Sequence, residues 1–533
     1  MPVPSRSGAM IREIPGFYYD EEKQRYFKIE SGSTAPSTAA WSIDSVKKRK
    51  AEKELAKQEK KRQERTKDLI KRSSALAHPQ TGGRLVREFG IVDPELPVKS
   101  WAAGLRERGD IRFVTHRRSD DRPNISCMII NGDDEASGLG AAYAVPDSHH
   151  VVGKYIPTDK NDQINFAITD EMRASNLGNM RVEAIHMDEI TSMAYHKSSN
   201  SVIIAALSPS GPSGAIQSQV CIFHPRPSEG LIEDRDSRWY YRQEFGDRKP
   251  AWLLGACEHR LLFTSPVRGL TINSVRTFSK SPPGHLDGLV ATSHGIMRLD
   301  GDNGTEDLRW VTPEPRSRNY NHDMPRHVFS VDYHPSSPGH VFYAGSRDGR
   351  IHRIDMRTPL RHDSDWDWWR HRSAVAHVRC LDDNQILAAG PINAMAIYDV
   401  RWGSRRGPRG DGNPAQEASQ PVVRFPGYKN NAHLKIGLDV THDVGGVGGL
   451  GCGGVVAAGL DDGTVGVFSL RTGRRLGAGD VDDARKLRAT AGGVVKAIQF
   501  EKMPWERETS LFVGVGDVVK KFSFGVDDDE EEW

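Results

Sequence analysis

Two strings in the second half of the chain, Ile354-Asp355-Met356-Arg357 and Tyr398-Asp399-Val400-Arg401, set an aspartate two residues ahead of an arginine. Side chains alternate along an extended strand, so an acid and a base with one residue between them project to the same side. The carboxylate suits the backbone amides of a turn, and the guanidinium offers a planar fork of donors to acceptors on another surface. That is the chemistry of recognition. Covalent and metal chemistry have no comparable strings: there is no GxSxG elbow, HExxH, P-loop lysine or EF-hand loop. The glycine cluster Gly445–Gly454 precedes a strand instead of opening a helix and lacks a Lys-Ser/Thr pair. It therefore reads as an inter-strand loop and not as a phosphate cradle. The 20 histidines show no metal-ligand spacing, so no catalytic residue, metal or cofactor is expected.

The elements that must carry the two boxes are short strands. From Asp110 onward, runs such as IRFVTH, ISCMII, SVIIAAL, GLVATS and VGVFSL recur between Gly, Asp, Asn and Pro, with few helical patterns between them. Closely spaced antiparallel strands follow from that texture, and βαβ units do not. The segment from His327 through Arg357 is matched about 44 residues later by the segment from His371 through Arg401, a period of the WD40 repeat. A third copy, Val455–Arg471, shares the strand–turn–strand form, with Asp462-Gly463 where the first has Asp348-Gly349, and Leu511–Phe524 closes the chain. More eroded units precede them, around ITSMAYH…VCIFHP, AWLLGACEHRLLFTS…LTINS and GLVATSHGIMRLDG. About seven units result, which predicts an all-β fold, a WD40-type β-propeller. Residues 110–157 either add a strand pair or complete the closing blade.

His327 and His371 take the place of the repeat's structural histidine, about 28 residues before the blade-ending aspartate, so buried, hydrogen-bonded rings are expected. The run Asp363–Arg372 contains Trp366, Trp368 and Trp369. These either anchor a partner from an exposed loop or cap the blade and pack on their neighbours. Gly403–Gln420 and His442–Gly453 read as loops on the scaffold.

Bulk properties bound the rest. In 533 residues, 73 Lys and Arg nearly balance 71 Asp and Glu, so a global basic field for nucleic acid is absent and such a partner is not expected. The five cysteines include no CxxC pair, suggesting neither a disulfide framework nor a zinc site and fitting a reducing compartment. The N-terminus lacks the apolar core of a signal peptide, and no run approaches the ~18 apolar residues of a membrane span. A soluble, intracellular protein without a membrane partner is expected. By composition, residues 1–43 form a flexible segment with an aromatic island at 14–29, and 44–72 a basic helix or disordered stretch. Residues 73–109 form a connector, 110–525 the propeller, and 526–533 an acidic disordered tail.

In the island, aromatic clusters flank an Asp-Glu-Glu-Lys turn, which predicts a small hairpin with Phe17, Tyr19 and one of Tyr26 or Phe27 on one face. Such a hairpin is marginal alone. It docks on the propeller or on a partner, supplies a strand to the propeller's edge, or acts as a WW-like peptide binder. Lys47-Lys48-Arg49-Lys50 is a short cluster of the nuclear-import type, or the surface of a solvated helix, and the expected location is nucleus and/or cytoplasm.

The two boxes resemble the double WDxR box of substrate receptors in cullin-4 RING ubiquitin ligases, with Ile354 and Tyr398 where tryptophan is usual. The island is similar to the segment that precedes the propeller in the DDB1- and CUL4-associated factor 4 (WD-repeat protein 21) family. Pro15, Gly16, Phe17, Tyr18, Tyr19, Asp20, Lys23, Arg25, Tyr26 and Phe27 fit that pattern. The resemblance covers this segment and the propeller, especially residues 327–401. It implies a non-enzymatic scaffold that docks on the adaptor damaged-DNA-binding protein 1, and through it on cullin-4. Asp355, Arg357, Asp399 and Arg401 would meet the adaptor, while another surface holds a protein substrate of unknown identity. The competing reading is a general WD40 scaffold of an RNA-processing or chromatin assembly. A propeller hydrolase would need acids, histidines or metal ligands converging on the central channel, which the sequence does not display.

Overall fold

The computed structural model describes residues 15–20, 25–29, 43–67, 95–113, 123–132, 139–157, 163–164, 182–210, 215–224, 259–265, 267, 269–278, 281–302, 304–313, 325–337, 339–358, 367–402, 419–442, 444, 454–487, 493–503, 506 and 508–525. The chain divides into two units, Met1–Ser73 and Ser74–Trp533.

In the larger unit, the apolar runs pair with their sequence neighbours across short turns, the cheapest pairing in chain entropy. Seven sheets result among the described residues, six of four strands and one of three. Blade 1 is Met128–Asn131, Leu139–Ala144, His150–Pro157 and Val182–His186. Blade 2 is Glu189–His196, Ser201–Ser210, Ala215–Phe223 and His259–Thr264. Blade 3 is Ile272–Thr277, His285–Thr292, Gly295–Asp302 and Asp307–Trp310. Blade 4 is Val328–Tyr333, Val341–Ser346, Arg350–Asp355 and Trp368–Arg370. Blade 5 is His377–Cys380, Gln385–Gly390, Ala394–Asp399 and Val423–Arg424. Blade 6 is Leu438–Thr441, Val455–Gly459 and Val465–Ser469. Blade 7 is Ile498–Glu501, Ser510–Val515 and Val518–Phe524, with Leu105–Arg112 as its outer strand.

This is a seven-bladed WD40-type β-propeller. The first strand of blade 7 packs on that of blade 1, and the early strand Leu105–Arg112 pairs with the chain's last strand, so the ring closes on itself. Second strands such as Val341–Ser346 and Val455–Gly459 are buried along their whole length because both faces lie against neighbouring blades. One cluster joins Leu387 and Met395 of blade 5 to Val456 and Phe468 of blade 6. Another joins Phe512 and Val519 of blade 7 to Ala142 and Val152 of blade 1. Side chains on the innermost strands stitch adjacent blades through backbone groups. Asp332 accepts the Cys380 amide at 2.8 Å, Asp439 that of Phe500 at 2.8 Å, and Gln499 bonds both backbone groups of Ile130.

The blade count agrees with the repeat, but the partition differs. The stretch 110–157, together with 182–186, supplies a complete blade of its own and the end of the closing one. The string expected to form a unit around Leu261 and Ile272 is split. His259–Thr264 is the outer strand of blade 2 and Ile272–Thr277 the inner strand of blade 3. The connector expected over 73–109 ends earlier. Glu95 begins a described segment in which helix Leu96–Ala103 buries Val98 and Trp101 in the core of blades 6 and 7.

Register explains another difference. The second and third strands of blades 4 and 5 repeat every 44 residues, as from Val341 to Gln385 and from Arg350 to Ala394. The first strands do not: Tyr333 pairs with Phe342, whereas Cys380, not His377, pairs with Ile386. The turn after the first strand is thus shorter in blade 5, and His327 and His371 are not equivalent. His371 is buried, with Nδ1 at 2.9 Å from the Tyr398 hydroxyl, Nε2 at 3.3 Å from the Ala394 carbonyl, and burial pushing its pKa down to about 4. His327 instead sits exposed at φ +47°, immediately before its strand. Ile354 stands where blade 5 has Tyr398, so blade 4 offers no hydroxyl to hold a buried imidazole.

In the smaller unit, Phe17–Asp20 and Arg25–Lys28 form an antiparallel hairpin, and Ile43–Lys67 is a helix. That helix overlaps the basic stretch expected over 44–72 and begins one residue before it. No described helix is long and apolar enough to cross a membrane.

Candidate functional site

Antiparallel order puts the end of each third strand on the same face as the turn between the first two strands. Asp355 pairs with Val341 and Asp399 with Gln385, so the two boxes occupy equivalent corners of adjacent blades. At each corner the carboxylate does two jobs. Asp355 Oδ1 accepts the Arg357 amide at 3.0 Å, closing the turn, while the guanidinium returns Nε to Oδ1 at 2.9 Å and Nη2 to Oδ2 at 2.7 Å. Asp399 repeats this: the Arg401 amide at 2.9 Å, Nε to Oδ1 at 3.0 Å and Nη2 to Oδ2 at 2.6 Å. The hydrogen bonds from Arg357 pull the Asp355 pKa down to about 2, and those from Arg401 lower that of Asp399.

The sequence predicted that acid and base would point the same way, and they do. They also clasp each other. The arginine side chains remain 60% and 65% exposed while their carboxylates are 28% and 10% exposed. A guanidinium has five N–H donors, and the clasp occupies the Nε edge, leaving the outer donors free to meet acceptors elsewhere. Held in one rotamer beforehand, the fork loses less entropy on docking than a free arginine would.

Two residues at this face had no role assigned from sequence. Trp402, directly after the second box, is 79% exposed, and tryptophan beside arginine is the composition of interface hot spots. Arg471 lies at the third equivalent corner, because Ser469 pairs with Val455 as Asp355 pairs with Val341. Ser469 Oγ accepts the Arg471 amide at 3.2 Å and donates to Glu95 Oε1 at 2.6 Å, and the Thr472 hydroxyl donates to the same oxygen at 2.5 Å. Burial works to raise the Glu95 pKa, but hydrogen bonds from Ser469, Thr472 and Lys99 outweigh it and hold the group ionised. Arg471 itself is exposed and has no ion pair among the described residues. The sequence signal was present in the third repeat copy, yet serine in place of aspartate hid it.

Trp366 lies outside the described residues. Trp369 is 1% exposed and packs on Tyr343 at 6.0 Å between ring centres, while Trp368 stacks under the Arg350 guanidinium at 5.2 Å. Both belong to the outer strand of blade 4, so of the two expectations for this run the structure favours capping of the blade.

In the N-terminal motif, Tyr19 faces Tyr26 with ring centres 4.8 Å apart, and Phe17 faces Lys28. Tyr26, not Phe27, therefore shares the face of Phe17 and Tyr19. Gly16 turns the chain at φ +87°, and its carbonyl accepts the Ile29 amide at 3.0 Å. Arg49, from the helix, donates to the Tyr18 hydroxyl at 2.5 Å and lies 5.1 Å from that ring's centre. Pro15 precedes the hairpin, Asp20 pairs with Arg25, and Lys23 lies outside the described residues. Phe17 and Tyr26 remain 44% and 39% exposed. Among the described residues, no group of His, Cys, Asp and Glu could hold a metal ion.

The described larger unit is thus a closed propeller with two clasped arginines on one face. No family model matches the chain. Over 198 residues it is 26% identical to E3 ubiquitin-protein ligase COP1 of Arabidopsis thaliana, a match covering 36% of this chain and 24% of that protein. The match thus spans about a quarter of the relative's length. Among solved structures it is similar to the WD40 beta propeller domain of Doa1, with a TM-score of 0.42 and 12% identity over 79% of this chain and 98% of that one.

Proposed function

We propose that this chain is a non-enzymatic substrate receptor of a cullin-4 RING ubiquitin ligase. In this reading Asp355, Arg357, Asp399 and Arg401 meet the adaptor damaged-DNA-binding protein 1, and another face of the ring holds the substrate. The observation that carries the reading is the pair of identical, pre-set Asp–Arg corners side by side on one face. The partial similarity to a ubiquitin ligase is consistent with it. In this reading the aromatic hairpin of the N-terminal motif is a second contact with a protein partner. Lys47–Lys50 lies exposed on its helix and serves nuclear entry.

Affinity purification of the full chain from cells, followed by mass spectrometry, tests this directly: the adaptor and cullin-4 must co-purify in near-stoichiometric amount. The second reading, a general scaffold of a nuclear assembly, is favoured by the internal clasp of each arginine, which could serve the turn alone. It predicts RNA-processing or chromatin proteins in place of the ligase.

A further inference from the structure

The propeller's central channel has a volume of about 800 Å³, within the range of small-molecule sites. The innermost strands of all seven blades line it. Five lysines and arginines line it, among them Arg276, Arg379, Lys435 and Lys496, against two acidic residues, Asp439 and Glu501. The whole chain carries a formal charge of only +2, so this positive excess is a local feature.

The acids nearest these arginines already have hydrogen-bond partners. Asp332 accepts Arg276 Nε at 3.0 Å with one oxygen and the Cys380 amide at 2.8 Å with the other. Asp439 accepts the Phe500 amide at 2.8 Å, and burial raises its pKa. Arg379 is attracted by Asp332 and Asp439 but is hydrogen-bonded to neither. Its Nη1 donates to the Val378 carbonyl at 2.9 Å, its shielded Nε has no hydrogen-bond partner, and no ion pair is formed to it among the described residues. A shielded guanidinium with an unpaired donor and another guanidinium nearby is costly in the empty channel. An anion supplying several acceptor oxygens removes that cost, and the planar arginine fork suits phosphate oxygens in particular.

We infer that the central channel is a binding site for a small polyphosphorylated anion held by Arg379, Arg276, Lys435 and Lys496. The site belongs to the ring's axis and is independent of the adaptor-facing corners. The bound anion neutralises the innermost strands where the blades converge, and so stabilises the ring.

Isothermal titration of the full chain with inorganic tripolyphosphate, at about physiological salt, tests this. One site of micromolar affinity is expected, weakened at least tenfold by Arg379→Met and by the paired change Lys435→Gln with Lys496→Gln. Replacing Lys47, Lys48, Arg49 and Lys50 by alanine is expected to leave it unchanged, which separates the channel from the basic helix. Without ligand, Arg379→Met should melt no lower than the parent, because it removes a shielded guanidinium whose Nε has no hydrogen-bond partner. Absence of binding at millimolar tripolyphosphate overturns the proposal. So does binding lost with the helix lysines but kept in the channel variants, or an Arg379→Met chain that binds normally and melts lower.

Discussion

Blades 4 and 5 end their third strands on an aspartate that holds its own arginine. Blade 6 ends the same strand on a serine and draws its carboxylate from Glu95, 374 residues away. The turn forms in all three. In blade 6 a serine oxygen is enough to accept the Arg471 amide, and the arginine is left unclasped. The fork between acid and guanidinium is therefore not required to make the corner. Its presence in two adjacent blades fixes two arginines side by side on one face, which is the arrangement the proposed adaptor contact uses.

Removing Glu95 strikes the unusual corner hardest. Glu95→Ala leaves the buried Ser469 hydroxyl without its acceptor, which should cost about 2 kcal/mol, read as a lower urea midpoint with unchanged slope. A loss of less than about 0.5 kcal/mol would mean that helix Leu96–Ala103 holds by Trp101 and Val98 alone. The sign of the pH dependence follows from the lowered carboxyl. The folded pKa lies below the ordinary value of 4.5, so Glu95 contributes stability in full above that value. The contribution fades as pH falls through the folded pKa.

Converting blades 4 and 5 toward blade 6 sharpens the contrast. Asp355→Asn combined with Asp399→Asn keeps an oxygen for the turn amide but loosens both arginines. Adaptor affinity is expected to fall about tenfold with stability nearly unchanged, as measured by surface plasmon resonance and thermal melting. Equal affinity would mean that pre-setting the forks contributes nothing. The third arginine should matter less: Arg471→Ala, unclasped in the free protein, is expected to weaken adaptor binding by about threefold or less. Smallest of all is the acid response of the clasps. Asp355 titrates near pH 2, so the Arg357 Nε–H signal in NMR should stay protected from exchange down to about pH 3 and lose protection below it.

Much of this was legible in the sequence where the physics is local. Asp-Gly turns, apolar second strands and the boxes all lie within single hairpins, and their spacing fixed the register of two strands per blade. Features that depend on distant partners were not legible. Glu95 and Ser469 meet only because the ring closes, and no spacing announces it. Blade 1 was hidden because its outer strand, Val182–His186, begins 25 residues after its third strand ends at Pro157. The expectation for His327 failed because the first strands of blades 4 and 5 do not keep the 44-residue step, so His327 and His371 occupy different positions. Arg276, Arg379, Lys435 and Lys496 sit on the inner elements of four blades, and only closure brings their charges onto one axis.

The central claim is that two clasped arginines form the adaptor contact. Its most direct test is the affinity of the purified full chain for damaged-DNA-binding protein 1, beside that of Arg357→Ala combined with Arg401→Ala. The double variant is expected to melt within a few degrees of the parent and to bind about 100-fold more weakly, roughly 2.7 kcal/mol. Undiminished affinity in a folded double variant would contradict the account.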